Sequence, residues 1–356
     1  MIITETISWD SVSGADGYNL YARKWDDFGK IYKKINPTLI TETSVTPSFA
    51  DSGFYHGYIT TVKNGQESAP SNEVYFHANM GFLEFTSNSF FDPLYYDTNK
   101  IDLLVIGAGG AGAVGRPGNN NPGGGAGAGG YKIILGLEVT QVVDIIIGSG
   151  GIPGNPSGTG DERAGTNGGD TSFGDIIAFG GGRGGLFSED PEPIAAGDGG
   201  SGGGTTSSGS AVPGTGIEGQ GHDGAGATHS TSGLYSGGGG GAKAPGNVGS
   251  TTVGSGWGGD GIFLGHIWGF KYGDGGWFCG GGAGGRYNVS NEGQQARGGR
   301  GGGGDGGQRG GSPGQDAKPN SGGGGGGGGT DNGANTPSEG GKGADGIALI
   351  RWRIIV

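Results

Sequence analysis

Apolar and polar residues alternate in short runs along the first part of the chain. Tyr18 and Leu20 fall on one face of an extended segment, with polar Asn19 between them. Two similar runs follow, and the Asn64-Gly65 pair between them favours a hairpin because both residues accept a positive φ. Repeated short strands separated by turns predict a small β-sandwich over residues 1–79.

A second group of apolar runs predicts a framework of β-strands over residues 80–179. The runs cover Ile101–Ile106, Tyr131–Leu135, Val142–Ile147 and Ile176–Phe179.

Residues 346–356 close the chain with a clean alternation that predicts a half-buried strand. Ala348, Ile350, Trp352, Ile354 and Val356 share one face. Arg351 and Arg353 lie on the other, beside Ile347, Leu349 and Ile355. We expect one sheet to combine this closing strand with the earlier runs, so that residues 180–345 form a long excursion between neighbouring strands.

That excursion is dominated by glycine. The chain has 96 glycines in 356 residues, of which only seven precede residue 101. Runs of glycine, here called arms, alternate with more varied segments. The clearest arms are 180–185, 197–204, 237–241, 280–285, 298–311 and 322–329. Collagen is excluded, because glycine does not recur at every third position and only 15 prolines are present.

Ordered polyglycine has to be stabilised through its main chain, because glycine has no side chain to bury. An extended left-handed helix of the polyproline II kind has three residues per turn and directs its N–H and C=O groups outward. Such rods pack side by side and form hydrogen bonds with neighbours in several directions. The fold class predicted is therefore all-β plus a polyglycine-II-type helix bundle, with the glycine-rich body carrying surface loops.

The first 79 residues resemble a fibronectin type III domain. The resemblance is carried by Ile7-Ser8-Trp9, by residues 14–21 (GADGYNLY) and by residues 64–74 (NGQESAPSNEV). It implies that Trp9 is the core tryptophan and that Tyr58 is a candidate for the conserved tyrosine of the F strand; plain core packing is the alternative for both. Domains of this kind act as spacers or as binding modules.

Residues 82–356 resemble the glycine-rich tail-fibre and receptor-binding proteins of tailed bacteriophages. The stretches that carry the resemblance are 103–110 (LLVIGAGG), 127–131 (GAGGY), 143–151 (VDIIIGSGG), 168–174 (GGDTSFG), 178–182 (AFGGG) and 346–351 (GIALIR). In the tip adhesins of this group, polyglycine helices form a bundle and loops at its far end contact the host. The fibronectin-like module at the front departs from that pattern.

Composition excludes several other functions. The formal net charge of −12 argues against binding to nucleic acid or to anionic lipid. Cys279 is the only cysteine, so neither an intrachain disulfide nor a cysteine-based zinc site is possible. Gly107–Gly112 matches a dinucleotide fingerprint, but the residues that follow cannot form the required helix. We expect no cofactor and no metal. We also expect no membrane insertion, because the chain shows neither a signal peptide nor a long apolar stretch.

Candidate chemistry is concentrated in one aromatic segment, residues 263–278. Aromatic rings stack on sugar faces and anchor protein interfaces. The receptor-binding residues predicted here are Phe263, His266, Trp268, Phe270, Lys271, Tyr272 and Trp277. The alternative is an apolar mini-core that staples the bundle.

Three further features have weaker signals. The acidic run 189–192 is half of a possible glycosidase pair, and His222-Asp223 with His229 is a possible metal site. A solvated loop for the first and polar surface residues for the second are the explanations that the sequence favours. Residues 288–290 form a glycosylation sequon in form only.

The function expected is a non-enzymatic host-recognition adhesin at or near a phage tail-fibre tip, made in the host cytoplasm and carried on the virion. Its partners would be a cell-surface glycan or an outer-membrane protein, together with other virion proteins. A purely structural fibre or decoration component and a polysaccharide depolymerase are the alternatives. Both a homotrimer and a monomer are compatible with the sequence.

Overall fold

The computed structural model describes most of the chain: residues 2–3, 6–24, 31–49, 53–116, 121–158, 160–187, 194–206, 212–230, 233–249, 255–287, 296–308, 311–330 and 337–353. Apart from extended arms, its structure is almost entirely β, as the sequence predicts. Among the residues in these ranges, the helices are α1 (Gly265–Trp268) and one 3-10 turn (Gly160–Arg163). Within the described ranges, no helix has the length and apolarity to cross a bilayer.

The strands are, in chain order, β1 (Ile2–Ile3), β2 (Ile7–Ser8), β3 (Gly17–Lys24), β4 (Lys33–Lys34), β5 (Ser44–Val45), β6 (Gly53–Lys63), β7 (Gln66–Glu67), β8 (Val74–Ala78), β9 (Met80–Phe85), β10 (Ser89–Phe91), β11 (Lys100–Ile106), β12 (Tyr131–Glu138), β13 (Val143–Ile146), β14 (Thr171–Phe173), β15 (Ile176–Ala178), β16 (Thr228–Ser230), β17 (Gly233–Tyr235), β18 (Ile262–Phe263), β19 (Trp277–Phe278) and β20 (Ile347–Arg353).

The N-terminal region is a small antiparallel β unit. One sheet has the order β4-β3-β6-β7, with β8 also paired to β6, and β2 pairs with β5. Its core contains Leu20, Ile59 and Phe76, and Trp9 packs against that core. Tyr58 instead lies on the outer face of the sheet, where its ring stacks on that of Tyr21.

The framework consists of two sheets packed face to face, rather than the single sheet expected from the sequence. The first has the order β1-β9-β20-β11-β12 and the second β10-β13-β14-β15. Phe91, Leu103, Phe173 and Ile350 are among the residues buried between them. The second sheet forms because the runs at 142–147 and 176–179 need a partner surface for their own apolar side chains.

The closing strand β20 is buried on both faces, which corrects the half-buried strand predicted from its alternation. Ala348 and Ile350 face the second sheet, whereas Ile347 and Leu349 belong to a different apolar cluster on the opposite side. β20 lies between β9 and β11, in the middle of the first sheet. Residues 354–356 of the predicted strand lie outside the described residues.

The glycine arms are extended chains whose hydrogen bonds follow a period of three. In the arm 322–330, three successive N–H groups donate to carbonyls on three different arms. The next three N–H groups donate to the same three arms, at carbonyls three residues away from the first ones. The N···O distances are 2.8–3.0 Å. The donors are Gly324 to Gly329, and the respective acceptors are Gly280, Gly110, Gln315, Ala283, Ala113 and Ser312.

Carbonyls of the same arm accept hydrogen bonds from three further arms, through the N–H groups of Ala126, Gly304 and Gly341. The arm 322–330 is thus enclosed by six others.

This packing is possible because glycine has no Cβ. A Cβ placed on Gly109 would lie 1.8 Å from the carbonyl oxygen of Gly323, and one on Gly325 would lie 2.1 Å from that of Gly341. Both contacts are with backbone, which cannot move aside as a flexible side chain can. Buried Ala108, Ala113 and Ala126 show that some arm positions nevertheless hold a methyl group.

At the periphery of the bundle, aspartate carboxylates take the place of carbonyl acceptors that a neighbouring arm would otherwise supply. Their carboxylates accept hydrogen bonds from backbone N–H groups that have no carbonyl of another arm to bind. Asp198 accepts from Thr215 N at 2.6 Å, and Asp170 accepts from Gly180 N at 2.7 Å. The same role is filled by Asp223, Asp260, Asp305, Asp316 and Asp345.

We predict that Gly325→Val destabilises the protein by about 1–3 kcal/mol, the usual cost of overpacking a tight interior. Gly226→Val is the matched control, because a Cβ at Gly226 meets no atom within 4 Å. Thermal unfolding followed by calorimetry should show a clear fall in Tm for the first variant and little change for the second. Equal Tm values for the two variants would contradict a packed body.

We also predict that Asp198 contributes stability that acid removes. Its hydrogen bonds from the backbone N–H and then the hydroxyl of Thr215 lower the pKa of the carboxyl. Because the folded pKa lies below the unfolded value of about 3.9, this stability is present above that pH and is lost as the pH falls through the folded pKa. Wild type should exceed Asp198→Asn in free energy of unfolding at neutral pH, and the gap should close on acidification. A gap independent of pH would argue against this contribution.

Candidate functional site

The aromatic segment, residues 263–278, connects two arms at the framework end of the bundle. Its first residue belongs to β18, which pairs with β19 at the other end of the segment, and α1 lies between them. The turns need glycine: Gly276 has a φ of 86°, and a Cβ there would lie 2.5 Å from the Cα of Gly265. The segment is therefore a compact excursion with defined geometry.

One side of this segment packs on the first framework sheet. Trp268 is completely buried and Tyr272 nearly so, in a cluster that includes Leu104 and Leu349. The ring of Phe82 stacks on Tyr272 at 5.3 Å and meets Trp268 edge-on at 6.4 Å. This packing covers the second face of β20.

Arg351 ties the same side of the segment to the sheet. Its guanidinium forms an ion pair with Asp102 at 3.0 Å and lies 5.0 Å from the centre of the Trp268 ring. It also donates to the carbonyl of Ile267 in α1. Burial lowers the pKa of Arg351, and the nearby Asp102 carboxylate opposes that shift. The pair stabilises α1 against the framework.

The other side of the segment contacts the N-terminal sheet. The Phe270 ring lies 4.5 Å from that of Tyr75 and 6.3 Å from that of Phe54. Asn79, with a φ of 51°, is the only residue between β8 of this sheet and β9 of the framework. The aromatic segment therefore joins the N-terminal unit, the framework and the glycine body.

The structure brings all seven predicted receptor-binding residues together, but at different depths. Trp268 and Tyr272 lie in the interior and offer almost no surface to a ligand. Phe263, His266, Phe270 and Trp277 are half-buried, and Lys271 is exposed above the Tyr272 ring. Burial, and secondarily Arg351, lowers the pKa of His266. A receptor contact through the accessible members stays a prediction. The buried pair, Trp268 and Tyr272, belongs instead to an apolar cluster of the kind considered as the alternative.

A second candidate site is the end of the bundle remote from the framework, here called the distal end. Several arms end and start again there, and described residues at these arm ends pair with one another. Arg116 pairs with Asn121, Leu186 with Ile194, Gly115 with Ser338, Tyr235 with Arg286, and Tyr287 with Thr330. The aromatic segment connects arms at the opposite end.

Hydroxyl side chains complete the hydrogen bonding of the distal end. The Thr206 and Ser236 hydroxyls both donate to the carbonyl of Pro122, at 2.9 and 2.7 Å, and the Ser255 hydroxyl donates to that of Gly285 at 2.6 Å. These groups replace N–H donors where the arms stop. They keep the arm ends in fixed positions, so that the connections are carried on a rigid base.

Surface side chains of several kinds surround this base. Arg116 lies over the Phe187 ring at 5.9 Å, and both are half-buried. Tyr287, also half-buried, pairs with Thr330 at the same end of the bundle. Together they offer a cation, aromatic faces and a phenol. No sequence pattern predicted this site, because the direction of each arm is known only from the structure.

The weaker candidates gain nothing from the structure. Residues 189–192 and 288–290, and the His229 side chain, lie outside the described residues. The Asp223 carboxylate accepts a hydrogen bond from the N–H of Gly216 at 2.7 Å. Across the described residues, no group of three or more potential ligands from His, Cys, Asp and Glu is placed to hold a metal ion.

Comparison with known families gives one match. A family model described as glycine-rich domain matches residues 87–353, which is three quarters of the chain. The chain therefore belongs to the glycine-rich domain family. No curated protein matches the chain.

We predict that Trp268→Ala destabilises the protein by about 3–5 kcal/mol, as removal of a buried tryptophan usually does. Trp257→Ala is the control, because Trp257 is 42% exposed. Chemical denaturation should show a large fall in the free energy of unfolding for Trp268→Ala and a small fall for Trp257→Ala. Similar small losses would mean that the aromatic segment does not staple the three parts together.

Proposed function

We propose that this member of the glycine-rich domain family is a host-recognition adhesin of a bacteriophage, located at or near a tail-fibre tip. The observation that carries the proposal is the gathering of arm ends at the distal end, where described residues of several arms pair with one another. Binding surfaces are commonly loops held by a rigid scaffold. The N-terminal unit and the framework occupy the opposite end, which leaves the distal end for contact with a host.

Two further proposals concern the scaffold, namely the glycine arms and the N-terminal unit. We propose that the arms are polyglycine-II-type helices, for which the hydrogen-bond period of three is the supporting observation. We propose likewise that residues 1–79 form a fibronectin type III-like module. Its close junction with the framework, through Asn79 and Phe270, favours a rigid mount over a flexible spacer.

The ligand we propose is a cell-surface glycan or an outer-membrane protein. Arg116, Phe187 and Tyr287 supply the cation and aromatic surfaces that such ligands use. Each contact would be modest in affinity, and several copies on one particle would raise the avidity. The acidic charge of the chain disfavours nucleic acid as an alternative partner.

The test is inhibition of phage adsorption by the purified full-length protein. Wild type should block adsorption to host cells, and the variant Arg116→Glu with Tyr287→Ala should block at least about tenfold less well, as loss of central interface residues does. Lys271→Glu tests the other candidate site, because Lys271 is an exposed predicted receptor contact of the aromatic segment. The proposal expects this variant to block as well as wild type does. Circular dichroism should show that all three proteins are folded.

Each other result has its own meaning. Loss of blocking by Lys271→Glu alone would move the contact to the aromatic segment. Release of soluble sugar from host envelopes would indicate a depolymerase. Absence of both blocking and sugar release would favour a purely structural component of the virion.

A further inference from the structure

The outer face of the N-terminal sheet carries a row of tyrosines, one from each of four neighbouring segments. Tyr21 belongs to β3, Tyr58 to β6 and Tyr75 to β8, and Tyr32 immediately precedes β4. The strands β4, β3, β6 and β8 lie side by side in that order. The tyrosine side chains are half-buried, whereas the alternate residue Leu20 is buried in the core. At ordinary strand spacing, the row is roughly 14 Å long.

The rings contact one another along the row. Tyr21 stacks on Tyr58 at 5.2 Å, and the Tyr58 ring lies 4.9 Å from that of Tyr32. The His56 ring continues the row, edge-on to Tyr32 at 5.1 Å and stacked on Tyr75 at 5.7 Å. Aromatic pairs across strands stabilise a sheet, so these rings are also part of the fold. Because they are held in place before a ligand arrives, little conformational entropy remains to be lost on binding.

An exposed carboxylate, that of Glu67 in β7, borders the row. It accepts hydrogen bonds from Asn19 Nδ2 at 3.0 Å and from the Tyr21 hydroxyl at 3.2 Å. The Thr60 hydroxyl donates to it as well. The hydrogen bonds from Thr60 and then Asn19 lower the pKa of the Glu67 carboxyl. Glu67 is therefore an ionised acceptor, held in a fixed position at neutral pH.

A second exposed carboxylate, that of Glu73, is bound in the same way. It accepts hydrogen bonds from the Tyr32 hydroxyl and from the Tyr75 hydroxyl, the latter at 3.1 Å. The hydrogen bond from Tyr32 is the main cause that lowers the pKa of Glu73. Because these hydroxyls and that of Tyr21 donate their protons to carboxylates, they offer a ligand acceptor lone pairs. The face thus combines aromatic surface with hydrogen-bond acceptors.

We propose that this face binds a neutral oligosaccharide, at a site separate from the distal end. One face of a sugar ring is apolar and packs on aromatic rings, while its hydroxyls donate to acceptors. The two carboxylates repel an anionic ligand. A cationic ligand is disfavoured by Arg23, which lies 5.0 Å from the centre of the Tyr32 ring, and by Lys34, which lies opposite Tyr21 in the sheet.

Size favours a sugar over a protein as the ligand. A stable protein interface takes about 800 Å² from each partner. A row roughly 14 Å long and one ring wide is much smaller, but it is long enough for a short chain of sugar rings. The row is also closed at one end, where the Phe270 ring packs 4.5 Å from that of Tyr75.

The test is isothermal titration calorimetry of the full-length protein with three neutral tetrasaccharides: chitotetraose, cellotetraose and maltotetraose. At least one should bind. Tyr58→Ala removes the ring at the centre of the row and Glu67→Gln removes a charged acceptor, so each should weaken that binding by about tenfold or more. Tyr95→Ala is the matched control and should bind as wild type does, because Tyr95 is a tyrosine of the framework that is 79% exposed.

The distal end has its own arm in this experiment. Arg116→Glu with Tyr287→Ala should bind the tetrasaccharide as wild type does, and loss of binding in that variant would place the sugar at the distal end instead. Failure of all three tetrasaccharides to bind at millimolar concentration would overturn the inference. Binding that survives both Tyr58→Ala and Glu67→Gln would overturn it too. Glutamine has nearly the shape of glutamate, so the result for Glu67→Gln stands even if Tyr58→Ala lowers Tm.

Discussion

The hydrogen bond between backbone groups of neighbouring arms is the interaction on which this structure depends. Each residue fixed in place costs about 1–2 kcal/mol of conformational entropy, and glycine has no side chain whose burial offsets that cost. Burial also removes water from the N–H and C=O groups, so each one must find a protein partner. The arms satisfy this requirement with partners on all sides, which can approach closely enough only because most arm positions have no Cβ atom.

The two ends of the bundle follow from the same requirement. Where an arm stops, its last polar groups lose their neighbours, and hydroxyls such as those of Thr206 and Ser236 take over. Along the periphery, carboxylates such as that of Asp198 do the same. At the framework end, the arms continue into strands whose apolar side chains form ordinary cores. The aromatic segment joins these cores to the N-terminal sheet through Trp268 and Phe270.

Much of this architecture could be predicted from the sequence, and the failures have physical causes. The alternation at 347–353 identified a strand, but not its burial on both faces, because the covering residues lie about 80 positions earlier, in the aromatic segment. Aromatic content marked residues 263–278 as special without showing that Trp268 is interior, since rings serve cores and interfaces equally. The distal end could not be predicted, because the sequence of a glycine run does not show towards which end of the bundle the arm runs.

Amide hydrogen exchange tests the central claim most directly. The N–H groups of Gly324–Gly329 belong to neither helix nor strand, yet each donates to a neighbouring arm. If those hydrogen bonds hold the body together, these amides should exchange only through global unfolding, as slowly as the amides of β11 and β20. Exchange at the rate of an unstructured glycine chain would contradict the account.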